Sequence, residues 1–560
     1  MAAITKAMVM AEAVEKYWSK AGTVTKKDLP RLEQRILGIT NMLFDMHNDN
    51  APKDERWNKL TGLDPLQISM IILRLYEVRW LDLCDGEFDA DYGLLAIYME
   101  EGPNAGTYQA SEIQIQKIIL DISPAISVHN IKEVTTRLQA NAKTTVRTIN
   151  ADLIPVNNGI FDYKNKKLLP FSPDYVYLSK CPVDYIPGAQ NPVIQEPGGK
   201  TWDVETWMQS LSDDKDIVTL LWEILGAIIR PGVKWDKAAW LYSNTGNNGK
   251  GTLCELMRAL CGPKNHTSIS LEEFARSNDF ILESLVYASA IIVDENNVGA
   301  YIDKSKDLKA VITGDVIQIN RKYKTSLAYK FHGFMVQCLN DYPKIKDRSD
   351  SFARRQLIIP MTKCFTGKEN KAIKSDYLHR PEVLQYILCK ILHSDYYTLS
   401  EPVSCRLLLD DYRESNDILR TFASDIMDQL VWDIVPFQFL YELYTAWSKR
   451  MNPSGQLLSI ATFKDEILNL IKSVDYGWYC NDKMKVLWVS KKDRTTPEPL
   501  IAEYNLVNWM NPSAKNSNDV NKLCIPPDSK FNVVRGIRRK PGWKPVVMAP
   551  EAGEEEECSS

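Results

Sequence analysis

The segment AAWLYSNTGNNGKGTLCELMRAL constrains the fold of this chain more than any other. An apolar run, a loop of Gly and Asn ending in Gly249-Lys250-Gly251-Thr252, and an amphipathic run follow one another, which predicts a strand, a tight loop and a helix. Phosphates are bound where backbone N–H groups converge at a helix N-terminus, and glycine lets the backbone approach closely enough. Gly246, Asn248, Gly249, Lys250, Gly251 and Thr252 are therefore candidate nucleotide-binding residues, with Lys250 as the point charge on the β- and γ-phosphates. The loop departs from G-x-x-x-x-G-K-[ST], because Asn244 stands where the first Gly belongs and Gly251 where the hydroxyl belongs. Thr252, one residue later, carries the nearest hydroxyl. A plain Gly-rich turn is the other reading, and the flanking strand and helix favour the phosphate loop.

Further along, YASAIIVDENN delivers Asp294 and Glu295 at the end of a buried run. One such carboxylate can hold Mg²⁺ and the other can polarise an attacking water, although acids after a strand also start helices. A third apolar run, GFMVQCLNDYP, ends at Asn340, a candidate γ-phosphate sensor or simply a turn residue before Pro343. In DRSDSFARRQLIIPM, Arg354 and Arg355 precede a hydrophobic strand. A guanidinium there suits the charge that develops on a transferred phosphoryl group, supplied from a neighbouring subunit, or else marks a solvated strand edge.

Strands alternating with helices around these motifs predict a multidomain α/β protein built on a parallel sheet. With 560 residues there is room for several domains. Changes in pattern place a helical amino-terminal region with a small sheet at 1–151, a β-rich segment at 152–200 and the sheet core at 201–375. A helical connector follows at 376–430, then helix, turn, helix and two strands at 431–490, the order a winged helix needs. Residues 491–560 read as a basic, Pro-rich segment with an acidic tail, eleven Lys/Arg standing against five Asp/Glu between Lys491 and Ala549.

These motifs, in this order, resemble the superfamily 3 helicases, specifically the phage and plasmid primase-helicase family shared with poxviruses. NGIFD (Asn158 to Asp162), GNNGKGT, VDE, LKAVITGDVIQINRKYK (Leu308 to Lys324), CLNDYP and FARRQLIIP carry the resemblance. The loop is also similar to that of replication initiator-helicases of staphylococcal pathogenicity islands and chromosome cassettes. The resemblance implies an AAA+ P-loop ATPase core and a homo-oligomeric ring, a hexamer, acting on single-stranded DNA in its channel and on duplex origin DNA. It implies ATP and Mg²⁺ as ligands, Thr252 and Asp294 at the metal, Glu295 and Asn340 at the water, Arg354 or Arg355 as the finger, and Lys309 at the nucleotide across the interface. The expected function is ATP-dependent unwinding of the origin of a mobile genetic element, with host replication proteins as further partners. A DNA-binding initiator or loader whose ATPase governs assembly, and a non-unwinding machine that moves nucleic acid, are the competing classes.

The segment INRKYKTSLAYKF predicts a basic hairpin in which Arg321, Lys322, Lys324 and Lys330 meet DNA phosphates, with Tyr323 and Tyr329 interleaved. Outside the family, such a hairpin is more often an exposed sheet edge. In the winged-helix candidate, Leu440, Leu443, Tyr444 and Trp447 share a helix face, and Thr462 is expected to open the next helix. Asp89 and Asp91 form a D-x-D in an acidic loop with no supporting motif, so two-metal polymerase chemistry is rejected. The cysteines make no C-x-x-C pair and the histidines no ligand spacing, which argues against zinc. Charges throughout the first twenty residues and the lack of an eighteen-residue apolar run predict neither a secretory leader nor a membrane span. A bacterial cytoplasm is the expected location.

Overall fold

Apolar runs without alternation become strands of a parallel sheet because helices cover both of its faces. Ala290–Val293 and Phe334–Leu339 are buried at every position, and Ala238–Tyr242 and Gln356–Pro360 at all but the last. With His266–Thr267 these form an all-parallel sheet in the order His266–Thr267, Ala290–Val293, Phe334–Leu339, Ala238–Tyr242, Gln356–Pro360. The Asn340 strand thus lies between the strand of the phosphate loop and the strand of the acid pair. In this computed structural model residues 4–543 are described, apart from residues 22–23, 26–28, 88–92, 277–279, 298–300, 303, 323–325, 346, 348, 417, 452–456, 481–486, 515–518 and 531–532. Asp89, Asp91, Tyr323, Lys324 and the acidic tail lie outside the described residues.

The chain divides into two units, residues 1–409 and 410–560. In the first, helix Lys215–Ala227 is capped by the Asp214 side chain, which accepts from Asp216 N–H, and it buries Ile217, Leu220, Leu221 and Ile224 against the sheet core. It stops before Arg230-Pro231-Gly232, where Arg230 is buried with its guanidinium 3.7 Å from the Tyr163 ring centroid and donates to Tyr396 O at 2.8 Å. The amino-terminal region packs helices Lys6–Ala21, Leu29–Asn48, Pro65–Leu75, Glu112–Ile122 and Val128–Asn141 with a four-stranded sheet. Leu153–Val156, Gly159–Asp162 and Lys167–Leu169 form an antiparallel meander. Its first turn is Asn157-Asn158. Gly159 is already strand, and a Cβ on it would lie 2.5 Å from Leu169 O.

The second unit sets helices Phe437–Met451 and Ile460–Ser473 beside a sheet in the order Ile434–Pro436, Gly536–Arg539, Trp478–Tyr479. Leu440, Leu443, Tyr444 and Trp447 are all buried on one helix face. Two expectations need correction. The second helix is capped by Ser459, whose Oγ accepts from Thr462 N–H at 3.2 Å, rather than opened by Thr462. Residues 491–560 are not only a basic tail, since Gly536–Arg539 is the central strand and joins the two flanking strands, which do not pair with each other. Gly536 lies so close to its neighbour that a Cβ would sit 2.0 Å from Val435 O, and Arg539 covers the Trp478 ring at 4.4 Å.

Burial pushes the Glu498 carboxyl up to about 7, against backbone N–H donors from Val431 at 2.8 Å and Trp432 at 3.4 Å. A carboxyl raised on folding contributes most below its unfolded pKa and loses that contribution as pH rises through the folded one. Stability of this unit is therefore expected to fall between pH 5 and 8 by about 3 kcal/mol from this group. Thermal unfolding of the full chain across that range should show the fall, and Glu498→Gln should flatten it.

Among the described residues no helix is long and apolar enough to cross a membrane.

Candidate active site

The strand Ala238–Tyr242 runs into the loop and the loop into helix Lys250–Cys261, as its residue order requires. Gly249 caps the helix at φ +84°, a left-handed conformation that favours glycine, and a Cβ on it would meet Leu211 Cδ2 at 2.8 Å. Asn247 takes φ +54°. Asn248 is buried and donates to Thr245 O, closing the loop on itself. Lys250 is buried, its Nζ 3.4 Å from Ser243 O, and burial pulls the ammonium below the ordinary lysine value. Gly246 is exposed with open space around it, and Thr252 lines a cavity beside the loop.

The acid pair and Asn340 follow the strands Ala290–Val293 and Phe334–Leu339 and stand exposed at the same edge of the sheet as the loop. Asp294 is paired to Arg258 of the phosphate-loop helix, N–O distances being 3.2 and 3.1 Å. Those hydrogen bonds hold its carboxyl below the usual range. Among the described residues Glu295 has no such tie, so the two acids differ in environment.

Beneath them, Asn296 is buried, donates to Gln337 Oε1 and Cys338 O at 3.0 Å each, and accepts from Leu271 N–H at 3.1 Å. Gln337 donates in turn to Ile269 O at 3.0 Å. This network fixes the acid loop to the Asn340 strand, because a buried amide left unpaired costs about 1–3 kcal/mol. Sequence reasoning missed Arg258, Asn296 and Gln337. Only Gln337 left a signal, as the lone polar residue in FMVQCL.

Arg354 and Arg355 lie at the opposite edge. Ala238 N–H, at the start of the loop strand, donates to Arg355 O at 2.8 Å, and both arginines precede strand Gln356–Pro360. Arg355 folds back on Ser351, donating to its Oγ at 2.7 Å, whereas Arg354 is exposed. At about 3.3 Å per residue, five strand residues separate them from their own chain's phosphate loop by roughly 16 Å. Lys309 donates to Asp347 at 2.6 Å. Burial alone would raise the Asp347 carboxyl, but bonds from Lys309, Ser349 and Ser305 hold it well below the carboxylate range.

The hairpin Val316–Ile319 with Leu327–Lys330 forms as expected. Arg321 and Lys322 lie on its connecting loop, whereas Lys330 sits at its base, bound to Glu87 at 2.5 Å with Asp85 at 3.8 Å. Tyr329 does not face a bound strand. It is buried, donates to Leu285 O at 2.9 Å and lies under Arg147.

The cavity beside the loop measures about 890 Å³ and is lined by Trp202, Trp207, Leu211, Phe365, Thr252 and Lys374 among others. A strap after the sheet closes one side of it. Phe365 N–H donates to Asn247 O at 2.8 Å, and Asn247 Nδ2 reaches Thr366 Oγ1 at 3.2 Å and Glu369 Oε1 at 3.3 Å.

Three segments of the chain match family models: residues 107–216 D5 N terminal like, residues 241–355 a family of unknown function (DUF5906), and residues 414–511 Poxvirus D5 protein-like. The two D5 matches are to domains of the primase-helicase kind, which act in DNA replication. No curated protein matches. Among solved structures, the A form apo structure of the NrS-1 C terminal region is similar at 15% identity, over 79% of this chain and 91% of that one, with a TM-score of 0.40. Another apo structure of that region is similar at 14% identity, over 73% and 86%, with a TM-score of 0.38.

Proposed function

We propose that this chain is an ATP-dependent DNA helicase and replication initiator of the AAA+ superfamily 3 kind, working as a ring of its own copies on DNA of a mobile genetic element in a bacterial cytoplasm. One observation carries the reading: Lys250, the pair Asp294 and Glu295, and Asn340 follow the carboxyl ends of three adjacent parallel strands, the edge at which open α/β sheets take ligands. The D5 matches, at residues 107–216 and 414–511, support it.

In this reading the triphosphate rests on the loop N–H groups with Lys250 against the β/γ oxygens. Glu295 accepts a proton from the attacking water, whose oxygen bonds to the γ-phosphorus as the bond to the β,γ-bridging oxygen breaks. Asn340 orients that water. Among the described residues no group of three or more His, Cys, Asp or Glu could hold a metal. The donors fit Mg²⁺ all the same, because that ion takes one or two protein oxygens and fills its shell with water and substrate phosphate. Asp294 and the Thr252 hydroxyl would hold it, and it would supply charge neutralisation. Arg354, exposed at the far edge, is the finger that reaches a neighbour's nucleotide, and Arg355 braces its helix. Lys309 would have to exchange Asp347 for phosphate to touch nucleotide across that interface.

Arg321, Lys322 and Lys324 track the DNA backbone, with Lys330 anchoring the hairpin base. The second unit serves as a winged helix, which suits contact with the duplex origin or with host replication proteins. Single-stranded DNA is expected to stimulate ATP hydrolysis by the purified chain, less so as salt rises, since each phosphate contact releases counterions. Hydrolysis indifferent to DNA would contradict the reading.

A further inference from the structure

Lys374 lies on helix Lys371–Ser375 of the strap, well outside the sheet and the motifs that follow it. Its Nζ would be 3.8 Å from a Cβ at residue 251, on the first turn of the phosphate-loop helix where Gly251 has no side chain. The same side chain lines the cavity together with Asn247, Gly249 and Thr252. At about 890 Å³ that cavity is within the usual range of roughly 300–1,000 Å³ for small-molecule sites.

The nearby carboxylates are engaged elsewhere. Glu255 faces Arg258 at 3.6 Å and His379 at 3.4 Å, and Asp376 is paired to Arg380 at 2.6 Å. Glu369 accepts from Gly367 N–H at 2.9 Å and from Asn247. Among the described residues no carboxylate lies within ion-pair distance of Lys374, although its charge reaches Asp294. Lys374 is exposed, so water solvates its ammonium in the open cavity, and a phosphate bound at the head of the helix would take the place of that water.

We propose that Lys374 is a second lysine of the nucleotide site, binding the β/γ-phosphates together with Lys250. The assignment rests on the nucleotide reading above and adds to it a residue from beyond the sheet. It also gives the departure at Gly251 a physical sense, since the position left without a side chain is the one over which the ammonium stands.

The test is titration of the full chain with fluorescently labelled ATP and ADP, using wild type, Lys250→Ala, Lys374→Gln and Lys374→Arg. Loss of one charge-assisted contact is expected to weaken both nucleotides about tenfold in Lys374→Gln. Lys374→Arg, which keeps the charge, is expected to restore most of the affinity. Lys374→Gln binding within twofold of wild type while Lys250→Ala fails to bind would overturn the role of Lys374 alone. A loss that arginine does not restore would also overturn it, because the side chain would then be acting through packing. Wild type that binds neither nucleotide would bring down the nucleotide reading itself and this proposal with it.

Discussion

Lys250→Ala protein fails to bind ATP at concentrations that saturate the wild type, whereas Glu295→Gln protein binds ATP and hydrolyses it about 10²–10⁴-fold more slowly. The two outcomes differ because the side chains differ in place and task. Lys250 is buried at the start of the helix, where its ammonium rests on Ser243 O, and in the proposed mechanism it is the group that holds the phosphates. Glu295 is exposed, and in the proposed mechanism it serves the water rather than the nucleotide. The isosteric amide keeps its shape and loses only the capacity to accept a proton. Fluorescent nucleotide binding and phosphate release, measured on the same preparations, check the pair. Equal loss of binding in both variants would show that the acid pair holds up the loop instead of serving the reaction.

Arg354→Ala is expected to keep nucleotide affinity and to lose hydrolysis by about 10³-fold or more, the usual effect of removing an arginine finger. Arg355→Ala should cost less activity, because that guanidinium is bound to Ser351 of the preceding helix. The placement of Arg354 at the edge opposite the loop makes a sharper test available. A Lys250→Ala subunit still carries Arg354, and an Arg354→Ala subunit still carries an intact loop. Mixed together, they form some interfaces with both parts present, and hydrolysis should rise above that of either variant alone. No gain on mixing, with oligomers confirmed by light scattering, would place the finger within its own chain or remove it from the mechanism.

The parallel core was legible because strands buried on both faces are mostly apolar, and AAWLY, AIIV, FMVQCL and QLIIP stand out from their surroundings despite the buried Gln337 and Gln356. The turn from strand to helix was legible because Gly249 takes a left-handed conformation that favours glycine. Contacts between distant segments were not. Nothing local to Arg258 announces that it pairs with Asp294, and nothing in KENKAIKSD announces that Lys374 reaches the phosphate helix. The strand Gly536–Arg539 was hidden because three of the five residues in RGIRR are arginine, which reads as a solvated tail. Only tertiary packing on Trp478 and Val435 gives that charge a place in the sheet.

The central claim is that ATP cleavage moves the basic hairpin along a strand, and displacement of a labelled oligonucleotide from a forked duplex measures it most directly. The wild-type chain with ATP and Mg²⁺ is expected to release the labelled strand, and to release none with a non-hydrolysable ATP analogue. Steady ATP hydrolysis by the assembled ring on that fork, with the two strands still paired at the end, would contradict the claim and favour a loader whose ATPase governs assembly.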